Sequence, residues 1–281
     1  MKLRDRVAIV TGAGRGIGEA ISLAFAGEGA DLALVSRTTS EVMRTATEVE
    51  NLGRRAIAIR ADVSEKQDVD RTVEQVIGQL GKVDILVNSA GILGPIGPMV
   101  NNKHEDWIKA VMTNLVGTFL CCKAVLPFMI KRRKGKIINM SGGGAANPRP
   151  MFSAYSASKA AVVRLTETLS EEVKEYNIQV NAMAPGAVNT RMLDEVLAAG
   201  ENVGARALAE ARRQKQTGGL SPTVPAALAV FLASDDSDGI TGRLISAVWD
   251  DWQAMAKQIP DIMSSDTYTL RRIDRQGKGR A

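Results

Sequence analysis

The residues most suited to chemistry are Tyr155 and Lys159, in the stretch FSAYSASKAAVVRL. Their spacing of four residues places both side chains on one face of a helix, one turn apart. A lysine ammonium close to a phenol favours the phenolate and lowers a tyrosine pKa from about 10 toward physiological pH. Such a pair could pass a proton to or from an alcohol or carbonyl oxygen. Because this spacing also arises by chance on many helices, its meaning depends on the rest of the chain.

A glycine-rich segment near the N-terminus indicates a nucleotide site. The predicted strand Val7–Thr11 runs into TGAGRGIG, and a helix is predicted from Ile17. Glycines let the backbone approach a pyrophosphate closely, and the helix N-terminus supplies free N–H groups and the positive end of its dipole. The strand–loop–helix context favours a dinucleotide site over a structural turn. The glycines of this loop are Gly12, Gly14, Gly16 and Gly18.

The end of the second predicted strand, Asp31–Val35, indicates which dinucleotide binds. An NAD site usually carries an acid there for the ribose 2′-hydroxyl. This strand instead runs into Ser36 and Arg37, and Arg15 lies within the glycine loop. Two guanidiniums and a hydroxyl suit a 2′-phosphate. The alternative is that both arginines are solvated surface residues, but the missing acid favours NADP(H) over NAD.

The third predicted strand, Ala56–Ala61, leads into Asp62 and Val63, which we also place beside the cofactor. Asp62 could accept a hydrogen bond from the adenine amino group. It could equally cap the helix that is predicted to begin near Glu65. The sequence leaves both roles open.

Short β-branched runs alternate with amphipathic stretches along most of the chain. Apolar strands joined by helices give a parallel sheet that is covered on both faces, which is an α/β fold. In such a sheet the ligand binds beyond the carboxyl ends of the strands. We assign residues 1–249 to this domain and 250–281 to a C-terminal extension, with a short helix before Pro260 and a basic tail. The predicted strands are Val7–Thr11, Asp31–Val35, Ala56–Ala61, Ile85–Asn88, Lys136–Met140, Ile178–Ala182 and Leu244–Val248.

Composition limits the other possibilities. The 281 residues are 45% hydrophobic and 24% charged, which suits one substantial core. No window approaches the ~20 uninterrupted apolar residues of a membrane helix, and no secretory signal is evident. The net charge of +5 is spread along a chain with 4% aromatics, which argues against nucleic acid binding. The adjacent Cys121 and Cys122 suit a reducing cytosol as buried thiols, and His104 is the single histidine, so we predict a cytoplasmic protein without a metal site.

Taken together, the motifs resemble the classical short-chain dehydrogenase/reductase family over residues 1 to about 248. The resemblance implies a single-domain Rossmann-type, doubly wound sheet of seven parallel strands with helices on both faces. It also implies a homotetramer or homodimer that acts on a small-molecule carbonyl or alcohol. The motifs are TGAGRGIG at Thr11–Gly18, NSAG at Asn88–Gly91, Asn114 in TNLVGTF, YSASK at Tyr155–Lys159, and the Pro185-Gly186 turn ending at Thr190.

The resemblance also implies a role for each matching residue. Tyr155 would be the catalytic acid/base, and Lys159 would tune it and bind the nicotinamide ribose. Asn114 would hold a water in a proton relay. Val188 and Thr190, after Pro185 and Gly186, would contact the nicotinamide carboxamide. The residues expected to line the cofactor and steady the central sheet are Asn88, Ala90 and Gly91.

One position departs from the family pattern. The family usually has a serine thirteen residues before the tyrosine, where it polarises the substrate carbonyl, but that position here is Gly142. Either a one-residue difference in the loop brings the adjacent Ser141 into place, or the site lacks that hydroxyl, and Ser153 is a third possibility. Our prediction is Ser141. Loss of such a donor typically lowers the rate by about two to three orders of magnitude.

The predicted function is an NADP(H)-dependent interconversion of a ketone and a secondary alcohol by hydride transfer. The alternative is a non-catalytic NADP-binding homologue with a regulatory or assembly role, which the serine departure favours and the Tyr155–Lys159 pair opposes. An insertion with two predicted helices, Met192–Ala199 and Ala205–Gln214, would cover the substrate. Its basic residues could meet an anionic substrate, or form a solvated face.

Overall fold

Seven parallel strands form one sheet at the centre of the structure, a computed structural model that describes residues 1–273 and 279–280. The order across the sheet is β3-β2-β1-β4-β5-β6-β7, so the direction of winding reverses between β1 and β4. This order confirms the predicted Rossmann-type doubly wound sheet, whose ligand crevice opens at that reversal. The strands are β1 (Val7–Thr11), β2 (Asp31–Ser36), β3 (Ala56–Arg60), β4 (Ile85–Asn88), β5 (Gly135–Met140), β6 (Ile178–Ala184) and β7 (Leu244–Ser246).

Helices cover both faces of this sheet. Along β1, Ala8 and Val10 pack on one face with α1, α2 and α9, while Val7 and Ile9 pack on the other with α3, α5 and α6. Because both faces are buried, the strands are apolar throughout rather than alternating. The helices are α1 (Gly16–Gly27), α2 (Thr39–Asn51), α3 (Lys66–Leu80), α4 (His104–Val111), α5 (Gly117–Arg132), α6 (Ser153–Val173), α7 (Arg191–Ala198), α8 (Ala205–Thr217), α9 (Thr223–Ala233) and α10 (Ile259–Met263).

One continuous helical stretch, His104–Arg132, joins α4 to α5 through a π-helical turn at Met112–Val116. Such turns are rare and often lie at functional sites. By length and composition alone this stretch could cross a membrane. It nevertheless packs against α3, α6 and strands β4 and β5, as a core helix does. Cys121 and Cys122 lie on its inner side as buried free thiols, as predicted.

The C-terminal extension differs from its prediction. Its helix, α10, does not precede Pro260 but includes it in the first turn, where the missing N–H of proline costs nothing. Trp252 packs on Phe231 of α9, with ring centres 5.7 Å apart. The backbone N–H of Leu270 donates to the Glu167 carboxylate of α6 at 2.8 Å. The extension is therefore part of the packed domain up to this point. A short antiparallel pair, β8 (Arg272–Ile273) with β9 (Gly279–Arg280), follows, and the rest of the predicted basic tail lies outside the described residues.

Candidate active site

Tyr155 and Lys159 lie in the first turns of α6, at the carboxyl end of β5. Both are buried, with 7% and 3% of their surfaces exposed. The Lys159 ammonium lies 5.8 Å from the centre of the Tyr155 ring. It donates a hydrogen bond to the Met140 carbonyl, the last residue of β5, at 2.8 Å. The end of β5 therefore fixes the position of the Lys159 ammonium. Tyr155 and Lys159 lie on one face of α6, as predicted.

The electrostatics of this pair differ from the expectation. Burial raises the pKa of the Tyr155 phenol, and the nearby positive charge of Arg149 opposes that rise. Burial also lowers the pKa of Lys159 to about 8. The predicted lowering of the tyrosine pKa by Lys159 was wrong for this structure, because loss of hydration outweighs the attraction of a neighbouring charge. The phenol is therefore held protonated at neutral pH, which is the form that donates a proton to a carbonyl.

Asn114 occupies the π-helical turn and is completely buried. Its side-chain amide donates to the Ile92 carbonyl and to the Ser158 hydroxyl, each at 2.9 Å, and its carbonyl accepts from the Ile92 N–H at 2.8 Å. The Ser158 hydroxyl in turn donates to the Tyr155 carbonyl at 2.8 Å. In this structure Asn114 is a positioning residue that ties the loop after β4 to the helix that carries Tyr155.

Gly142 lies against the phenolic hydroxyl. A Cβ atom on Gly142 would lie 2.3 Å from the Tyr155 oxygen, so the present arrangement leaves no room there for a serine. Ser141 is buried, and within the described residues its hydroxyl has no hydrogen-bond partner. The Ser153 hydroxyl, by contrast, accepts from Asn102 and from Trp107 at 3.3 and 3.2 Å. Ser141 therefore keeps an unused hydroxyl and stays the predicted donor.

We expect Ser141→Ala to lower kcat by about 100-fold, since removal of a hydroxyl donor at a reacting carbonyl has this order of effect. Steady-state reduction rates would measure it. Ser153→Ala is the matched control, because its hydroxyl is already held by two other side chains and should leave kcat nearly unchanged. Full turnover by Ser141→Ala would remove Ser141 from the mechanism.

The glycine loop has the shape that a pyrophosphate needs. Gly12 has a φ of +67°, and a Cβ there would lie 2.9 Å from the Ala90 nitrogen. A Cβ on Gly18 would lie 2.2 Å from the Gly12 carbonyl oxygen. Side chains at these positions would fill the cradle, and α1 begins at Gly16 with Ile17 next, so its free N–H groups face the loop. These residues fit a dinucleotide pyrophosphate.

Polar residues of the neighbouring strand ends support this loop. The Thr11 hydroxyl accepts from the N–H groups of Ser89 and Ala90, each at 3.1 Å. The Asn88 side chain donates to Asn139 of β5 at 2.8 Å, so it links two central strands. Gly91 packs beside the active site, since a Cβ there would lie 3.2 Å from the Asn114 carbonyl oxygen and 3.5 Å from the Lys159 ammonium. The NSAG segment thus joins the cofactor loop to the catalytic pair.

The basic residues expected at a 2′-phosphate are present but partly neutralised. Arg15 donates two hydrogen bonds to the Glu41 carboxylate, at 3.0 and 3.1 Å. Arg191, at the start of α7, donates to the same carboxylate at 3.1 Å. Arg37 lies 3.6 Å from Asp62. Glu41 was not identified from sequence, because an acid in the first turn of a helix is common for reasons of the helix dipole alone.

Asp62 forms a turn rather than a helix cap. Its carboxylate accepts from the Ser64 N–H and hydroxyl at 3.0 and 2.7 Å, and α3 begins at Lys66. Burial raises its pKa, but the bonds from Ser64 and the charge of Arg37 outweigh this, so the pKa lies below its usual value. The helix-cap alternative is therefore not what the structure shows. Val63 is buried against Gly117 of α5.

The loop after β6 lies beside the glycine loop of the candidate site. Pro185 is buried, Gly186 has a φ of +83°, and Val188 is buried and forms a β-bridge with Leu220. The Thr190 methyl lies 3.3 Å from where a Cβ of Gly16 would be. The turn therefore meets the glycine loop, so the segments predicted to bind the cofactor lie next to one another.

A comparison with known protein families agrees with this geometry. The family model described as short chain dehydrogenase matches residues 6–200, which span the glycine loop, Asn114, Tyr155 and Lys159. The chain belongs to the short-chain dehydrogenase/reductase family. Members of this family are oxidoreductases that use NAD(P) cofactors and act on small molecules. The predicted family is thereby confirmed.

Individual relatives cover nearly the whole chain. A 3-oxoacyl-[acyl-carrier-protein] reductase of Thermotoga maritima is 34% identical over 87% of this chain and 97% of that protein. A 3β-hydroxysteroid dehydrogenase of Eggerthella lenta is 37% identical over 86% of this chain and 92% of its own length. The crystal structure of NAD+-bound xylitol dehydrogenase superposes with a TM-score of 0.82 at 30% identity, over 88% of this chain and 98% of the other. As these relatives act on different substrates by name, the family alone does not select one.

Proposed function

We propose that this short-chain dehydrogenase/reductase interconverts a ketone and a secondary alcohol with NADP(H), and that Tyr155 exchanges the proton. The observation that carries the proposal is the buried Tyr155–Lys159 pair beside a glycine loop shaped for a dinucleotide. When bound, the nicotinamide supplies or accepts the hydride. The protein's own residues orient the substrate, exclude water and move the proton at the Tyr155 oxygen. The relatives favour an enzyme over a non-catalytic homologue. The main support for the non-catalytic alternative is Gly142, which stands where the family usually has a serine.

A carbonyl panel tests the activity. Purified protein with NADPH or NADH would be mixed with aliphatic, cyclic and acidic ketones, and absorbance of the reduced cofactor followed. Turnover of one ketone class with NADPH supports the proposal. Binding of NADPH in a fluorescence titration without turnover on any carbonyl or alcohol would instead support the non-catalytic alternative.

We expect Arg37→Ala to raise KM for NADPH by about 10- to 100-fold and to leave KM for NADH unchanged. The Arg37 guanidinium has only a 3.6 Å contact with Asp62, so it is available to a 2′-phosphate. A charge-assisted hydrogen bond to phosphate has this order of effect. Arg212→Ala, an exposed arginine on α8, is the matched control. Equal kcat/KM values for NADPH and NADH in the unmodified enzyme would contradict the NADP(H) proposal.

We also propose that the protein is a cytoplasmic homotetramer or homodimer. Ile108, Met112 and Phe119 are exposed apolar side chains along the outer side of the stretch that joins α4 to α5. Contiguous apolar surface of this kind favours self-association.

A further inference from the structure

Arg149 lies in the loop between β5 and α6, next to the reacting hydroxyl. Its guanidinium carbon stacks 3.9 Å from the centre of the Phe152 ring and lies 5.9 Å from that of Tyr155. Phe152 is completely buried, so it gives the guanidinium a fixed support. The Arg149 Nη1 atom lies 3.9 Å from where a Cβ of Gly143 would be, one residue beyond the glycine against the Tyr155 oxygen. The positive charge therefore lies beside the reaction centre.

This charge has no partner among the described residues. Five arginines in that part of the chain are buried or half-buried. The four besides Arg149 each have a hydrogen-bond or ion-pair partner. The Arg149 side chain makes no hydrogen bond or ion pair there, although it is half-buried and burial lowers its pKa. The four paired arginines are Arg6 with Asp235, Arg54 with Asp31, Arg243 with the Ile262 carbonyl, and Arg271 with Glu167.

The surroundings of Arg149 are otherwise apolar. Tyr155 and Phe152 belong to a buried apolar cluster to which α7 and α8 contribute side chains. Its other members include Leu93, Leu193, Val196, Val203 and Leu208. Besides the Tyr155 phenol, the acid whose charge acts on Arg149 is Glu210 on α8, which is exposed and bonded to Arg206. A half-buried cation beside apolar side chains is costly unless an anion pairs with it.

We propose that Arg149 binds a carboxylate on the substrate, so that the natural substrate class is oxo acids and the corresponding hydroxy acids. The planar guanidinium suits bidentate binding of a carboxylate. The substrate carbonyl would then reach the Tyr155 hydroxyl while its carbon chain packs in the apolar cluster. This assignment rests on the proposed oxidoreductase function and adds its substrate class.

The basic residues of the substrate-covering helices are less suited to this role. On α8, Arg206 pairs with Glu210 at 3.0 Å, and Lys215 pairs with Asp194 at 2.7 Å. Arg212 and Arg213 are exposed. These four basic residues, which the sequence suggested as contacts for an anionic substrate, therefore face solvent. Arg149 was missed because a single arginine in a loop of small residues has no periodic or motif signal.

The test compares acids with their methyl esters. Unmodified enzyme with NADPH would be assayed on a series of 2-, 3- and 4-oxo acids of increasing chain length, each beside its ester. We expect kcat/KM to favour one acid over its ester by about 10- to 100-fold, the effect of one charge-assisted pair. Arg149→Met should raise KM for the acid by a similar factor and leave KM for NADPH and for the ester unchanged.

Variants and outcomes separate this role from others. Arg149→Lys keeps the charge without the planar guanidinium, so its KM for the acid should lie between those of the unmodified enzyme and Arg149→Met. Arg212→Met on α8 should leave KM for the acid unchanged. If Arg149→Met lowers kcat equally on acid and ester, Arg149 polarises the carbonyl instead, and the proposal is overturned. An unmodified enzyme that prefers every ester also overturns it, even if no variant folds. In both cases ketone reduction itself survives, whereas no turnover of any carbonyl would contradict the function on which the proposal rests.

Discussion

Tyr155→Phe is expected to lower kcat for carbonyl reduction by about 10³-fold while the affinity for NADPH stays the same. In the proposed mechanism the phenol is the general acid, and a positioned general acid typically contributes about 10²- to 10⁴-fold. Burial raises its pKa, so at neutral pH the proton is present and ready for transfer to a carbonyl oxygen. Phenylalanine keeps the ring in the apolar cluster with Phe152, so the fold is retained. Single-turnover rates and a fluorescence titration of NADPH would measure the two quantities.

The direction of pH dependence follows from the same phenol. Below its raised pKa Tyr155 is protonated, so the reduction rate should be level there and fall as the pH passes upward through that pKa. The reverse reaction, alcohol oxidation, requires the phenolate and should rise over the same range. Tyr176→Phe, far from the crevice beside Arg133, is the matched control. If Tyr155→Phe retained more than a tenth of the original kcat, another group would have to be the acid.

Much of the framework could be predicted because its signals are local. The strands Val7–Thr11 and Ile85–Asn88 lie between helix patterns and glycines that punctuate the chain, and the structure places both at the predicted residues. Tyr155 and Lys159 are on one helix, so their spacing alone determines that they share a face. The glycine loop was predictable for a similar reason, since its meaning depends only on the strand and helix beside it.

Contacts between distant segments could not be predicted in the same way. Glu41 meets Arg191 across 150 residues of sequence, and nothing in either segment indicates this pair. The predicted effect of Lys159 on the Tyr155 pKa was wrong because spacing gives proximity but not burial, and here desolvation is the larger influence. Gly142 against the Tyr155 hydroxyl likewise depends on the course of a loop whose residues are mostly small.

Lys159→Met is expected to lower kcat by at least about 100-fold, because the proposed mechanism uses this ammonium to bind the nicotinamide ribose beside the Tyr155 phenol. The same change should stabilise the fold. Burial lowers the pKa of Lys159 from 10.5 to about 8. At 1.36 kcal/mol per pKa unit, the charged form destabilises the native state by about 3 kcal/mol. Loss of the charge-assisted Lys159 bond to the Met140 carbonyl offsets about 2 kcal/mol of this, so a net gain of about 1 kcal/mol is expected at pH 7.

The pH dependence of that gain identifies its cause. The penalty is fully present below pH 8, where the native lysine is charged, and disappears as the pH rises toward the unfolded value of 10.5. Urea unfolding of both proteins at pH 7 and near pH 10 should therefore show the gain only at the lower pH. Lys136→Met is the matched control, since Asp238 at 2.7 Å partly compensates its buried ammonium, whose pKa burial still lowers, so the gain there should be smaller. An equal gain at both pH values would mean that methionine merely packs better. The buried charge of Lys159 would then not be a source of instability that the native fold retains for catalysis.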